Sequence, residues 1–202
     1  MRLLIVPCAL LALSACHKPA QQPANEAAPT AESGPQKGVD RSHKGQSFPN
    51  IAFLQDDEDG TGPMRVDALL GEPTLINFWA SWCAPCVKEL PTLQALDGSH
   101  RFEGAIIPLN QDSGSQASVR AFLDKIGVEN LGDYQDPKMK VAGAVGVEVM
   151  PTTILYDADG REVWRYVGDM DWTSPEAAKL LAEADASRKN AKQPAAGGPK
   201  RA

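Results

Sequence analysis

A strongly apolar segment that runs directly into two closely spaced cysteines constrains this chain more than any other feature. Residues 74–80, TLINFWA, form a nearly continuous apolar run of strand length, which is typical of a strand buried on both faces. The sequence WCAPC follows at residues 82–86, and apolar residues then recur at helical spacing as far as Leu96. We therefore predict a buried strand, a short turn that carries the cysteines, and a helix that begins at the first of them.

The spacing of the two cysteines indicates redox chemistry. Cys83 and Cys86 can close a small disulfide ring or open to a dithiol, and a thiolate can attack another disulfide. At a helix N-terminus, the unpaired backbone N–H groups and the helix dipole favour the anionic form of Cys83. Cys86, one turn further along, is then within reach to resolve a mixed disulfide. The pattern predicts thiol exchange with the cysteines of other proteins.

Residues 1–15 have the features of a bacterial lipoprotein signal peptide. A positive start at Arg2 precedes an apolar stretch, residues 3–13, that is too short to span a bilayer. The sequence LSAC at residues 13–16 resembles a lipobox, which implies cleavage before Cys16 and diacylglyceryl modification of its sulfur. The alternative is an ordinary signal peptide that contains Cys16 by chance. A lipid on Cys16 predicts a periplasmic protein that is anchored to a bacterial membrane, with the inner and outer membranes both left open.

The chain has four cysteines, too few for a small secreted scaffold held together by disulfides. Cys8 would leave with the signal peptide and Cys16 would carry lipid, so Cys83 and Cys86 would form the one free pair. A zinc ribbon needs a second Cys-x-x-Cys or a spaced histidine pair, and the sequence has neither. We assign no metal and no cofactor.

Composition divides the remaining chain into three parts. Residues 16–45 are rich in Pro and Ala and have Val39 as their one large apolar residue, so we predict a lipidated, disordered tether. Residues 46–186 have the size of one domain, and residues 187–202 are predicted to be a disordered basic tail. The domain carries 10 Lys and Arg against 23 Asp and Glu. This acidic balance argues against nucleic acid as a partner.

Hydrophobic periodicity predicts strands and helices that alternate along the domain. Residues 55–63 are predicted to be an acidic loop, and Ser174 is predicted to cap the last helix. The order of elements describes an α/β fold with a central mixed β-sheet flanked by helices on both faces. The strands are expected at 48–53, 74–80, 105–109, 152–156 and 162–167, and the helices at 85–96, 115–126, 137–144 and 175–186.

Four motifs together resemble the thioredoxin-like superfamily, and more closely its TlpA/ResA/DsbE-like group of membrane-tethered thiol–disulfide oxidoreductases. The resemblance covers residues 46–186 and implies a thioredoxin-like fold. An element at about 112–150 is longer than its counterpart in thioredoxin itself. The other three motifs are INFWASWCAPC at 76–86, KELP at 88–91 and MPTTILYD at 150–157.

The resemblance also implies roles for the residues around the cysteine pair. Cys83 would be the exposed nucleophile and Cys86 the buried resolving thiol. Glu89 lies three residues after Cys86 on the same helix face, where the resembled group has a carboxylate that accepts and donates protons. Thioredoxin instead has an acid on the preceding strand, where this chain has Asn77. We expect burial and a neighbouring thiolate to raise the pKa of Glu89, whereas the alternative is a surface Glu paired with a lysine.

Prolines and a tryptophan complete the predicted substrate-binding residues. Pro151 resembles the cis-proline that faces the cysteines in this fold, which would let the backbone of Met150 pair with an extended substrate; the alternative is a trans proline. Pro85 fixes the first turn of the helix, and Pro91 either kinks that helix or ends it. Trp82 adjoins Cys83 and is predicted to shape the docking surface.

The implied function is reduction of disulfides in periplasmic proteins, for example apocytochrome c or copper-site assembly factors. The resemblance further implies a membrane thiol-electron donor of the CcdA/DsbD type, and we expect a monomer. A peroxiredoxin-like peroxidase would need a Pro-x-x-x-Thr/Ser-x-x-Cys arrangement, which residues 75–83 do not contain. A non-catalytic lipoprotein that binds copper or a partner is the other alternative, although a copper chaperone of related fold would use Cys-x-x-x-Cys and a distant histidine.

Overall fold

The computed structural model of the chain describes residues 36–57, 60–65, 69–99 and 101–192. The predicted signal peptide at 1–15, the lipidation site Cys16 and the first part of the tether therefore lie outside the described residues. Residues 193–202 of the predicted tail lie outside them as well.

The described residues contain a mixed five-stranded sheet with the strand order β1-β7-β6-β4-β5. Strand β4 runs parallel to β5 and antiparallel to β6, whereas β7 is antiparallel to both β6 and β1. A second antiparallel pair, β2 with β3, forms a hairpin. The strands are β1 Gly38–Asp40, β2 Phe53–Asp57, β3 Gly60–Met64, β4 Thr74–Trp79, β5 Ala105–Asn110, β6 Thr152–Tyr156 and β7 Glu162–Val167.

Four helices in the described ranges cover this sheet: α1 Ala84–Asp97, α2 Gln116–Lys125, α3 Lys140–Ala144 and α4 Pro175–Lys192. All six residues of β4 are buried, because both of its faces are covered. Leu75 and Trp79 pack with apolar residues of α1, α2 and α4, and Ile76 and Phe78 pack on the opposite side with residues of α3 and β5. The predicted α/β class, with helices on both faces of a mixed sheet, is confirmed.

The strands and helices around the cysteines were predicted to within two residues at each end. Helix α1 continues through Pro91, so the alternative in which the helix ends there is wrong. Ser174 caps α4 as predicted, since its Oγ accepts the N–H of Ala177 at 3.1 Å. None of the helices in the described ranges is long and apolar enough to cross a membrane.

The ordered fold begins earlier than the predicted boundary at residue 46. Residues 38–40, inside the predicted tether, form the edge strand β1, which pairs with residues 165–167 of β7. This strand has only three residues, and Val39 is its one large apolar side chain, so its sequence carries almost no periodic signal. Backbone pairing and the Lys37–Asp169 ion pair hold it, and neither is visible in composition.

Two other N-terminal predictions are also wrong. The predicted strand at 48–53 is irregular except for its last residue, Phe53, which begins β2. The predicted acidic loop at 55–63 is largely a hairpin, in which Phe53 pairs with Met64. Charged and glycine-rich residues form these two strands, so they show no alternation of apolar and polar residues, and Phe53, at 2% exposure, supplies the buried anchor.

Two helix ends differ from the prediction. Helix α3 begins at Lys140 and not at Pro137, because the carboxylate of Asp136 accepts the N–H groups of residues 140, 141 and 142 at 2.9, 2.8 and 3.2 Å. Helix α4 extends to Lys192, so the first six residues of the predicted tail, 187–192, continue the helix. These residues, SRKNAK, were predicted to be disordered with the rest of the basic tail, although Ala, Lys and Arg are strong helix formers.

Candidate active site

The cysteine pair lies at the junction between the end of β4 and the start of α1. Cys83 is the N-cap of α1 with extended backbone angles, and its Sγ accepts the N–H of Cys86 at 3.4 Å. Its carbonyl accepts the N–H of Val87 at 3.0 Å, which starts the helical hydrogen bonds. Cys83 and Cys86 form a disulfide, with the sulfurs 2.02 Å apart and the Cα atoms 5.3 Å apart. The predicted redox pair is therefore present, in its oxidised form, at a helix N-terminus.

The two cysteines differ in their exposure. Cys86 is fully buried and Cys83 is 6% exposed. Cys83 is the more accessible of the two residues, as predicted, but the prediction that it is exposed is wrong for the disulfide form, in which the residue is buried. Trp82, beside it, is 69% exposed, and Pro85 is also exposed in the first turn. The exposed surface next to Cys83 is therefore formed in part by Trp82 and Pro85.

Trp82 lines a cleft of about 320 Å³ together with residues 112–114 and the exposed side of α2. Asp112 fixes one wall of this cleft to the turn before the cysteines, because its carboxylate accepts the N–H of Ser81 at 3.0 Å. The same carboxylate accepts the side-chain amide of Asn110, at the end of β5, also at 3.0 Å. Asp112 thus ties the turn before the cysteines to the neighbouring strand.

Glu89, three residues after Cys86 on α1, is buried, with 2% of its surface exposed. One carboxylate oxygen, Oε1, accepts the side-chain N–H of Asn77 at 2.7 Å. The other, Oε2, accepts the backbone N–H of Met170 at 3.0 Å. The alternative interpretation of Glu89, a surface side chain paired with a lysine, is wrong.

Burial raises the pKa of Glu89 to about 7. The N–H groups of Met170 and Asn77 oppose this shift by stabilising the carboxylate, and the negative charge of Asp169 adds to it. The indole of Trp172 also favours the carboxylate, although its N–H makes no hydrogen bond of normal geometry with any residue that the structure describes. The disulfide carries no charge, so desolvation raises this pKa without the thiolate that the sequence analysis invoked. At neutral pH, Glu89 can both accept and donate a proton.

Asn77 and Thr153 belong to the site in a way that sequence reasoning missed. Asn77 was noted only as an amide where thioredoxin has an acid. Its Nδ2 also donates to Thr153 Oγ1 at 2.9 Å, so the amide joins β4 and β6 to Glu89 on α1. The two residues are direct partners in the β4–β6 register. The contact could have been found from sequence only by assuming that the predicted strands at 74–80 and 152–156 pair antiparallel in this register.

The Met150–Pro151 peptide bond is cis, as predicted, and it immediately precedes β6. Met150 packs against the apolar cluster that contains both cysteines, which places this loop at the site. Arg165 holds the start of the loop, because its Nη1 donates to the carbonyl of Val145 at 3.0 Å. Arg165 is itself fixed by a buried ion pair with Glu162 at 2.7 Å.

Comparisons with known proteins agree with this geometry. Residues 43–181 match the Redoxin family. Thiol-disulfide oxidoreductase ResA of Bacillus thuringiensis is 32% identical over 126 residues, which cover 62% of this chain and 70% of that protein. A thiol:disulfide interchange protein DsbE homolog of Paracoccus denitrificans is 36% identical over 124 residues, 57% of this chain and 66% of that one. The crystal structure of StoA from Bacillus subtilis has a TM-score of 0.53 at 23% identity, with 68% of this chain and 98% of StoA covered, and so shares the fold.

The positions of the two sulfurs predict unequal reactivity. In the reduced protein, we expect iodoacetamide to label Cys83 about tenfold or more faster than Cys86, because a thiolate at the helix N-cap is stabilised and more accessible. Peptide mass spectrometry after short labelling times measures both rates in one sample. Equal rates, or faster labelling of Cys86, would contradict the assignment of Cys83 as the attacking thiol.

The raised pKa of Glu89 predicts a pH-dependent stability. The folded protein binds this proton more tightly than the unfolded chain, whose Glu pKa is about 4.5, so the stabilisation is complete below pH 4.5 and is lost as the pH rises through 7. The free energy of unfolding of the disulfide form, relative to Glu89→Gln, should fall by up to roughly 3 kcal/mol from pH 4.5 to pH 8. Urea unfolding at both pH values measures it.

The exposed Glu72→Gln is the matched control, and its difference from the unsubstituted protein should be the same at both pH values. A pH-independent difference between the unsubstituted protein and Glu89→Gln would show that Glu89 has the same proton affinity in the folded and unfolded chain.

Proposed function

Because the chain belongs to the Redoxin family and is a thiol–disulfide oxidoreductase of the ResA/DsbE type, we propose that it reduces disulfides in extracytoplasmic proteins. The observation that carries the proposal is a buried carboxylate with a pKa near 7, three residues after the resolving cysteine. A dithiol that must lose and regain protons at neutral pH needs such a group close by.

The reaction is a two-electron exchange. The Cys83 thiol gives its proton to water, and the thiolate attacks one sulfur of a substrate disulfide. That S–S bond breaks, and the departing substrate thiolate takes up a proton from water. Cys86 then gives its proton to Glu89 and attacks the Cys83 sulfur, which forms the Cys83–Cys86 disulfide. The second substrate thiolate leaves and receives the proton from Glu89. The substrate gains two electrons and two protons, and the protein is left in the disulfide form.

Docking uses the exposed residues around Cys83. Trp82 and Pro85 present an apolar surface beside the sulfur, and both are exposed. The backbone of Met150, before cis-Pro151, pairs with an extended segment of the substrate. Such pairing gives affinity through the main chain and leaves the substrate's side chains free to vary.

Pro85, between the two cysteines, supports the reducing direction that we propose, because a proline at this position occurs in reducing members of the superfamily that the sequence resembles. The substrates would be apocytochrome c cysteines or copper-site assembly factors. A membrane thiol-electron donor of the CcdA/DsbD type would return the pair to the dithiol, because the periplasm is kept oxidising. The protein would be held near that donor by a lipid on Cys16 and would act as a monomer.

Loss of the proton acceptor should slow exchange. We expect Glu89→Gln to keep the fold, because the amide is nearly isosteric, and to lower the thiol pKa values, because repulsion of the thiolate is removed. Insulin and glutathione-disulfide reduction should nevertheless be about tenfold or more slower at pH 7. The measurement is the rate of reduction and of Cys83 alkylation from pH 5 to pH 9.

Glu72→Gln should match the unsubstituted protein throughout. Superimposable curves for Glu89→Gln would mean that Glu89 takes no part in the exchange. Cys86→Ser should trap mixed disulfides through Cys83 in cells, and their absence, or consumption of hydrogen peroxide in place of disulfides, would count against a protein-disulfide reductase.

The proposed anchor can be tested separately. Metabolic labelling with palmitate should mark the unsubstituted protein and the Cys8→Ala control, but not Cys16→Ala. Three acyl chains hold a protein firmly at a membrane, so labelled protein should also sediment with membranes. An unlabelled protein in the soluble periplasmic fraction would overturn the lipoprotein proposal.

A further inference from the structure

The amide of Asn77 is hydrogen-bonded through one of its two ends. Its side chain is fully buried, and Nδ2 donates to both Glu89 Oε1 and Thr153 Oγ1. Its Oδ1 has no hydrogen-bond partner in the part of the chain that the structure describes. A buried amide oxygen without a partner costs about 1–3 kcal/mol, so this arrangement needs a physical explanation.

The carboxyl group of Glu89 is surrounded by donors. Asn77 Nδ2 and the N–H of Met170 each bond one oxygen, and the indole N–H of Trp172 lies near the same group. An ionised carboxylate only accepts hydrogen bonds, so these donors match it. A protonated Glu89 would instead need an acceptor for its own O–H. The backbone and indole N–H groups cannot accept, whereas an amide that turns by 180° about χ2 can.

We propose that Asn77 is a proton-state switch for Glu89: its amide presents Nδ2 to the carboxylate and, after a half-turn, presents Oδ1 to the protonated acid. The hydroxyl of Thr153 can accept or donate, so it would accept from Nδ2 in one state and donate to Oδ1 in the other. Only hydrogen bonds change, and the proton itself moves between Glu89 and Cys86 or water. The inference rests on the proposed role of Glu89 in proton transfer.

Little else holds the amide in one orientation. Oδ1 is the atom without a partner among the described residues, and after a half-turn Nδ2 would take its place, so each orientation leaves one amide atom unpaired there. The choice between them therefore depends on Glu89. Asn77 would be a positioning residue that gives both forms of Glu89 a hydrogen bond, so that neither form is trapped.

Other ionisable groups also act on Glu89, and the test must separate them from the amide. The ion pair of Lys37 with Asp169, at 2.7 Å, and Tyr166 on β7 interact electrostatically with its carboxylate. Lys88 and Asp171, with Thr92 and the 169–170 turn, line a cleft of about 310 Å³ that leads to Glu89. The electrostatic interactions of Lys37, Asp169 and Tyr166 with Glu89 do not require Asn77 to turn.

Nuclear magnetic resonance on the isotope-labelled disulfide form tests the switch directly. From pH 9 to pH 5, we expect the side-chain amide signals of Asn77 to shift with the same midpoint as the carboxyl carbon of Glu89. The Overhauser contact from the Nδ2 protons of Asn77 to Thr153 should be strong at pH 9 and lost at pH 5. In Glu89→Gln, which does not ionise, neither the signals nor the contact should change with pH.

The opposite results are equally clear. A contact between Asn77 and Thr153 that persists unchanged while Glu89 titrates would overturn the switch. So would a change that also occurs in Glu89→Gln, or a Glu89 that keeps one protonation state over this range, because the amide would have nothing to follow.

A double-substitution cycle gives a functional readout. Asn77→Leu keeps approximately the same volume and removes both amide groups. In the unsubstituted background it should slow insulin reduction roughly tenfold, which is the effect of losing one hydrogen bond to a charged group. In the Glu89→Gln background the same substitution should slow the reaction less than about twofold. Equal slowing in both backgrounds would assign Asn77 a merely structural role.

Failure of the switch and failure of the proposed function can be told apart. If Glu89→Gln reduces disulfides as fast as the unsubstituted protein, the role of Glu89 in exchange fails. The resonance titration uses the resting disulfide form without substrate, so it decides the behaviour of the amide whatever the exchange assay shows.

Discussion

The burial of β4 on both faces is the constraint from which the rest of the site follows. Its six residues lie between two apolar layers and pair with β5 on one side and β6 on the other. The strand ends at Trp79, and the chain turns at residues 80–83 into α1. Cys83 is therefore held at the helix N-cap by the packing of the strand that precedes it. Asn77 lies on the face of this strand that also carries Leu75 and Trp79. One element therefore positions both the sulfur pair and the partner of the buried carboxylate.

Two opposing effects of similar size set the pKa of Glu89. Moving a carboxylate out of water costs several kcal/mol, which favours the neutral acid. Hydrogen bonds from N–H groups to the charged form each return about 1.5–3 kcal/mol. Met170 and Asn77 supply two such bonds, at 3.0 and 2.7 Å. Desolvation is the larger effect, and the pKa is about 7. At neutral pH, a small change in the desolvation or in the hydrogen bonds therefore alters the proportion of protonated and ionised Glu89.

The chemistry-bearing part of the fold could be predicted from sequence because its signals are local. The apolar run of β4, the Cys-x-x-Cys spacing and the helical period after it each lie within a few residues, and the cis-proline and Glu89 followed from motif resemblance. What was missed depends on contacts between distant segments. Strand β1 exists because residues 38–40 pair with β7, about 125 residues away along the chain. The contact of Asn77 with Thr153 likewise needs the register of β4 and β6.

The turn at residues 168–170 shows how such distant contacts converge on the site. The N–H of Gly168 donates to the carbonyl of Pro151 at 2.8 Å, and the N–H of Met170 donates to Glu89. Between them, Asp169 pairs with Lys37 just before β1. Gly168 has φ of +94°, and a Cβ there would lie 2.9 Å from Lys37 Cγ, so glycine suits this position on both counts. The exposed ion pair itself contributes little, about 0–1 kcal/mol. The two backbone N–H groups matter more, because through them one short turn sets the cis-proline loop and the proton-accepting carboxylate relative to each other.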